Sequence, residues 1–263
     1  MYRILLELSF SVCVRVREGR PLSTKSTSPT SRKSARLRRA LRITLIALAL
    51  GIVIANAVDQ PTIEANEAPA TGSALAALET LDVKGIAAAT GYERENFGSA
   101  WADVDGNGCD TRNDILARDL TDLTYSTRDK GCEVRTGTFD DPYTGETISF
   151  VRGNKTSSAV QIDHVIPLLD AWRKGAQSWD DETRRRFAND PLNLLASDGS
   201  ANQSKGARDA SAWLPPNHAF RCTYIARQIA VKVTYELWVT PSERDAMAAV
   251  LGDCPSEPLP TGS

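Results

Sequence analysis

The sequence predicts an α+β fold, and three observations predict it. Two short runs rich in β-branched or apolar residues, 161–166 and 192–196, have the length of strands and are interrupted by polar or proline punctuation. Two further β-prone runs, 133–138 and 147–152, flank the turn-forming stretch 140–145 and read as a β-hairpin. Most of the other apolar residues recur at helical spacing, so helices surround these strands.

The first 57 residues stand apart. A basic run at 32–39 precedes an apolar segment at 43–54 that ends in Ala55-Asn56-Ala57, the order of a secretory signal. A membrane span needs roughly 20 apolar residues, so this segment reads as a cleaved signal in preference to a retained signal anchor. Of the 31 Lys/Arg and 33 Asp/Glu in the chain, 11 and two lie in residues 1–57, leaving 20 against 31 and a net charge of −11. A product that acidic does not hold nucleic acid by bulk electrostatics, so any phosphate contacts are local. Residues 58–90, rich in Pro, Ala, Glu and Thr, read as a flexible tether with a short helix at 74–81. The folded domain is expected at 91–254 and a disordered tail at 255–263.

Four of the five cysteines, Cys109, Cys132, Cys222 and Cys254, follow the leader, and an even number outside the cytoplasm favours disulfides over zinc. Three pairings are open. The sequential one is preferred because Cys109–Cys132 and Cys222–Cys254 would each close a supersecondary unit.

Asp103, Asp105, Asn107 and Asp114 fall on positions one, three, five and twelve of an EF-hand-like loop, which makes Ca²⁺ at a separate structural loop one expectation. The other is an Asx/Gly-rich turn leading into a helix. That helix is expected over 111–125, with Ile115, Leu116, Leu120 and Leu123 as its apolar stripe and Arg112 in its first turn. Arg112, Arg135 and Arg152 are candidate contacts to a substrate backbone. Apolar helical faces follow at 168–172 and through Trp179, Thr183 and Phe187. The stretch 217–237 reads as a long helix. A last helix carries a capping box at Thr240 and Glu243, with Pro241 at its first position.

The stretch 160–205 carries the chemistry. Asp163 and His164 end a strand that Pro167 forbids from continuing. Asn193 lies on the return strand, and Asn202 and Lys205, three apart, share a face of the helix expected over 200–209. A carboxylate, an imidazole and two amides so arranged predict one compact metal site.

This pattern resembles the ββα-metal motif of HNH endonucleases. The ordered set from Gly108-Cys109-Asp110-Thr111-Arg112-Asn113 to Trp213-Leu214-Pro215 is similar to secreted bacterial HNH-family proteins related to the nuclease domain of GmrSD-type restriction enzymes. The resemblance covers about residues 92–254. It implies a ββα-metal core with flanking helices, His164 as general base, Asp163 and Asn202 as metal ligands, and Asn193 as the residue that ties the loop between the strands. It also implies an exported, metal-dependent endonuclease that cleaves DNA, or RNA, with little sequence preference and leaves 5′-phosphate ends. Asn202 stands where the third letter of HNH would be His, which moves the preference toward a hard cation, Mg²⁺ or Mn²⁺.

The chemistry agrees with these roles. Phosphodiester hydrolysis needs a base for water and a cation for developing charge, and imidazole is neutral at physiological pH. Lys205, one turn from Asn202, is expected to touch the scissile phosphate. The expected partner is nucleic acid, with no obligate protein partner evident and membrane contact only through an uncleaved leader. The competing expectation is a non-catalytic, calcium-stabilised binding module of the cell envelope.

Overall fold

The computed structural model describes residues 72–128 and 131–260. The expected leader at 1–57, the tether up to residue 71 and the tail end at 261–263 lie outside the described residues. In chain order the elements are α1 (Ala74–Leu78), α2 (Thr111–Asp119), β1 (Thr121–Tyr125), β2 (Val134–Asp140) and β3 (Thr147–Val151). There follow β4 (Val160–His164), α3 (Leu168–Arg173), α4 (Asp181–Asn189), β5 (Leu194–Asp198), α5 (Gly199–Lys205), α6 (Arg221–Thr234) and α7 (Pro241–Gly252). β1, β2 and β3 form one antiparallel sheet in that order, and β4 pairs with β5 in a second, two-stranded one. The fold is mixed α+β with small antiparallel sheets.

The β4–β5 register sets the site. Ile162 lies opposite Ala196, Asp163 opposite Leu195 and His164 opposite Leu194. Because strand side chains alternate, Val160 and Ile162 point with Leu194 and Ala196 into a core shared with Ile115, Leu116, Phe139 and Phe150. Asp163 points the other way, on the side of Leu195, which packs into a second core with Val165, Tyr143 and the α6 residues Tyr224, Ile225 and Ile229. A third core of Phe97, Trp172, Phe187 and Tyr235 lies under α3 and α4. α5 starts immediately after β5, and its first residue must be glycine: a Cβ on Gly199 would collide with the carbonyl oxygen of Ser158.

Three expectations are corrected. The helix expected over 111–125 ends at Asp119, because Leu120 is extended and Thr121, Thr124 and Tyr125 pair with Thr138, Thr136 and Val134 of β2. Sheet pairing of β-branched and aromatic residues overrides a helical apolar stripe there. The part of the tether from residue 73 to 90 is fastened down. Ala74 and Leu78 are buried, Ser73 bridges Pro258, Val83 bridges Val239, and the Ala87 N–H donates to Arg173 O at 3.0 Å. The described part of the tail, 255–260, is docked as well, with Glu257 O accepting the Ala74 N–H at 2.8 Å and Glu257 accepting from Thr223 Oγ1 at 2.9 Å.

The α7 capping box is formed: Thr240 Oγ1 accepts the Glu243 N–H at 3.2 Å and Glu243 Oε2 accepts the Thr240 N–H at 3.3 Å. Cys109 is bonded to Cys132 and Cys222 to Cys254, the sequential pairing. The second bond ties the first turn of α6 to the chain just after α7. Replacing Cys222 and Cys254 together by Ser is expected to cost about 3 kcal/mol of stability through loop-closure entropy. Urea unfolding of the variant against the wild type measures it.

Candidate active site

The loop after β4 is shaped by Asn193, which is fully buried. Its Oδ1 accepts the Ile166 N–H at 2.8 Å, and its Nδ2 donates to the carbonyls of Ile166 and Phe187, both at 3.4 Å. Its own carbonyl accepts the Val165 N–H at 2.8 Å. An amide is suited to this position because it donates and accepts in one plane. Pro167 then caps α3 and turns the chain away.

His164 is held by two contacts. Its Nε2 donates to the carbonyl of Ala188, the residue before the end of α4, at 2.9 Å. That bond fixes the tautomer and leaves Nδ1 as the acceptor. The Trp101 ring lies nearly parallel to the imidazole, at 14° and 6.4 Å between centroids. Trp101 itself has φ 58°, a left-handed backbone that costs a large residue on the order of 1 kcal/mol. Burial pushes the imidazole pKa down to about 4; the Ala188 hydrogen bond opposes this, and the charges of Arg94 and Lys205 add to it.

Asp163 is 5 % exposed and accepts from Tyr143 Oη at 2.6 Å and Lys205 Nζ at 2.9 Å. Lys205 also donates to His164 O at 2.8 Å. Burial raises the Asp163 pKa, although Lys205 and Tyr143 oppose the rise. Lys205 was expected on an exposed helix face, in reach of a substrate phosphate. It is fully buried, and its ammonium is spent on Asp163 and the β4 backbone, so it positions the carboxylate from behind.

Asn202, on α5, donates through Nδ2 to Gln161 Oε1 at 2.9 Å. Asp163, His164 and Asn202 all line one cleft of about 330 Å³, together with Tyr92, Arg94, Leu168 and Gly206. His164 also lines a recess of about 30 Å³ among Arg94, Phe97, Trp101 and Asn189.

The other sequence candidates lie elsewhere. Arg112 donates to Val160 O at 3.2 Å, Arg135 pairs with Glu133 at 3.2 Å, and Arg152 donates to Val134 O at 2.6 Å and to Asn113. None of the three lines the cleft. In the 103–114 loop the carboxylates serve the loop's own donors. Asp103 accepts the N–H groups of Gly106 and Gly108, and Asp105 accepts that of Asn107. Asp114 accepts from Asn107 Nδ2. These are hydrogen bonds of an Asx/Gly-rich turn, and Asp110 is the N-cap of α2. Among the described residues no group of three or more His, Cys, Asp or Glu side chains is gathered to hold a metal ion.

Tyr143, Gln161, Arg94 and Trp101 were not singled out from the sequence. For Gln161 a signal existed, since it lies two residues before Asp163 and therefore on the same strand face. Tyr143 was read only as part of a turn. Nothing local marks Arg94, which lines the cleft, or Trp101, which stacks on His164, each more than 60 residues away in the chain.

These elements define a class: a disulfide-bonded α+β domain in which an antiparallel strand pair and the helix after it open one imidazole, one carboxylate and an amide onto a single cleft. The chain belongs to the family of GmrSD restriction endonucleases, C-terminal domain, whose match spans residues 110–250, more than half of its length. It is also 36% identical over 188 residues to a protein of Arthroderma benhamiae described as an uncharacterized secreted protein, covering 71% of this chain and 87% of that one. That relative is fungal, so the likeness is not confined to bacteria. No solved structure matches the chain significantly.

Two outcomes are expected. Lys205→Met should destabilise the domain by about 3–5 kcal/mol, because it strands the buried Asp163 carboxylate, and denaturant titration measures the loss. In metal-free buffer His164 takes up protons more readily in the unfolded chain, where its pKa is near 6.5, than in the folded one, near 4. Stability from this group is therefore complete above pH 6.5 and is lost as pH falls toward 4. The pH dependence of unfolding over that window should be shallower in His164→Gln than in the wild type.

Proposed function

We propose that the protein is an exported, metal-dependent HNH-type endonuclease that hydrolyses the phosphodiester backbone of DNA, and of RNA by the same chemistry, with little sequence preference. The observation that carries this reading is the opening of Asp163, His164 and Asn202 onto one cleft while His164 Nε2 is committed to the Ala188 carbonyl. An imidazole so held presents Nδ1 as a base, and its depressed pKa keeps it neutral throughout the physiological range. In this reading β4, β5 and α5 are the ββα unit that the sequence resemblance implies.

The donor set fits a hard cation. Asp163 lines the cleft with a carboxylate whose burial its neighbours do not fully offset, and Asn202 adds an amide oxygen. When bound, Mg²⁺ or Mn²⁺ would offset charge on the phosphorus centre and on the leaving oxygen. The chain's own residues do the rest. Asn193 and Lys205 hold the end of β4, so that Asp163 and His164 keep their relative positions. The Ala188 carbonyl fixes the ring and stabilises the imidazolium that forms when Nδ1 takes a proton from water. The attacking oxygen bonds to phosphorus, the P–O3′ bond breaks, the departing O3′ takes a proton from solvent water, and the products are a 5′-phosphate and a 3′-hydroxyl.

Export is part of the proposal. It is supported by the signal-like leader at 1–57, the two disulfides and the relative described as secreted. Among the described residues no helix is long and apolar enough to cross a membrane.

The deciding measurement is plasmid nicking with Mg²⁺ or Mn²⁺. His164→Ala should lower the rate by about 10² to 10⁴-fold, the usual worth of a positioned base, and EDTA should abolish cleavage. Equal nicking by wild type and His164→Ala would remove His164 from this role.

A further inference from the structure

Arg94 opens a short 3-10 helix, Arg94–Phe97, and lines both spaces that His164 lines: the cleft shared with Asp163 and Asn202, and the recess that includes Trp101. It is the one Lys or Arg among the residues lining either space. Arg94 is exposed, and among the described residues its guanidinium makes no hydrogen bond or ion pair, neither with its neighbours Glu93 and Glu95 nor with any other residue. The domain's other arginines near the hairpin are used differently. Arg112, Arg118, Arg152 and Arg227 all donate to backbone carbonyls and hold the fold together.

The charge of the cleft follows from these contacts. Asp163 is paired with the Lys205 ammonium at 2.9 Å, and Asn202 carries no charge. What remains is the single positive charge of Arg94. A dication entering alone meets one anionic ligand there, already paired with Lys205, whereas a phosphodiester monoanion meets the unpaired charge of Arg94. A guanidinium is also the group whose fixed fork of donors matches two phosphate oxygens at once.

We propose that Arg94 is the phosphate-holding residue of the cleft, and that the phosphodiester enters before the cation and supplies the negative charge that Asp163, paired with Lys205, does not. This rests on the nuclease reading and adds to it a residue outside the strand pair and helix, together with an order of binding.

The test uses the purified chain and a short fluorescein-labelled duplex DNA, with anisotropy read in EDTA so that no cleavage occurs. Wild type should bind the duplex without metal. Arg94→Ala should bind about tenfold more weakly, with the slope of log K against log salt smaller by about one, and Arg94→Lys should recover part of the loss. Thermal unfolding of Arg94→Ala should match wild type, because the exposed side chain makes no hydrogen bond or ion pair in the fold. Calorimetry with Mn²⁺ on His164→Ala, which keeps the DNA intact, should show binding with the duplex present and none resolvable with protein alone. Unchanged affinity and salt slope in Arg94→Ala, or equal Mn²⁺ binding with and without DNA, overturns the proposal while plasmid nicking by wild type leaves the nuclease reading standing. Absence of both nicking and duplex binding in wild type overturns the two together.

Discussion

One buried ion pair sets the geometry of the cleft: the Lys205 ammonium against the Asp163 carboxylate, with Tyr143 as the second donor. Each member comes from a different element, Asp163 from β4, Lys205 from α5 and Tyr143 from the turn between β2 and β3. A pair of this kind contributes little net stability relative to an apolar pair of equal volume, since the cost of desolvation offsets most of the attraction. What it fixes is position. β4 cannot slip by one residue against β5 without turning Asp163 out of this contact and driving Ile162 out of the core. The spare ammonium proton goes to His164 O, so the same lysine holds the backbone of the histidine it does not touch by side chain.

A second set of buried charges braces the far side of the α3 loop. Lys174 lies 2.7 Å from Asp170, 2.7 Å from Asp209 and 2.8 Å from Glu243, while Lys232 is 3.0 Å from Glu243. Both lysines and Glu243 are fully buried. Glu243 thus has two tasks, capping α7 and receiving two ammonium groups, and Asp209 brings in the chain that leaves α5. α3, α6 and α7 are locked together at that point, and the Asn193-tied loop runs directly into α3. The site is positioned from two directions by charges that are mostly buried.

Much of this was legible in the sequence wherever the signal was local. The strand ending at His164, the return strand, the helix carrying Asn202, the 140–145 hairpin turn and the α7 cap are each announced by a few neighbouring residues. So was the pairing of cysteines within supersecondary units. The failures have a common physical origin. Leu120 and Leu123 fit a helical stripe, but Thr121, Thr124 and Tyr125 find β-ladder partners in β2, which no local pattern reveals. Residues 73–90 have a composition that resembles a tether, yet partners in α3, α7 and the chain end give their backbone donors somewhere to go. Lys205 was expected in solvent because Lys rarely buries unpaired, and its pairing depends on Asp163 facing α5 across the strand pair. Arg94 and Trp101 gain their places only through the tertiary fold.

The fastening of Ser73 and Ala74 to Glu257 and Pro258 brings residue 73 beside residue 258. Between these adjacent points runs every element that builds the cleft, and a third tie, from Thr223 to Glu257, anchors the same spot to α6. A circularly permuted chain, with a short linker joining the region of residue 260 to that of residue 72 and new termini cut in the exposed turn at Gly145-Glu146, would therefore keep its hydrophobic interior and its cleft.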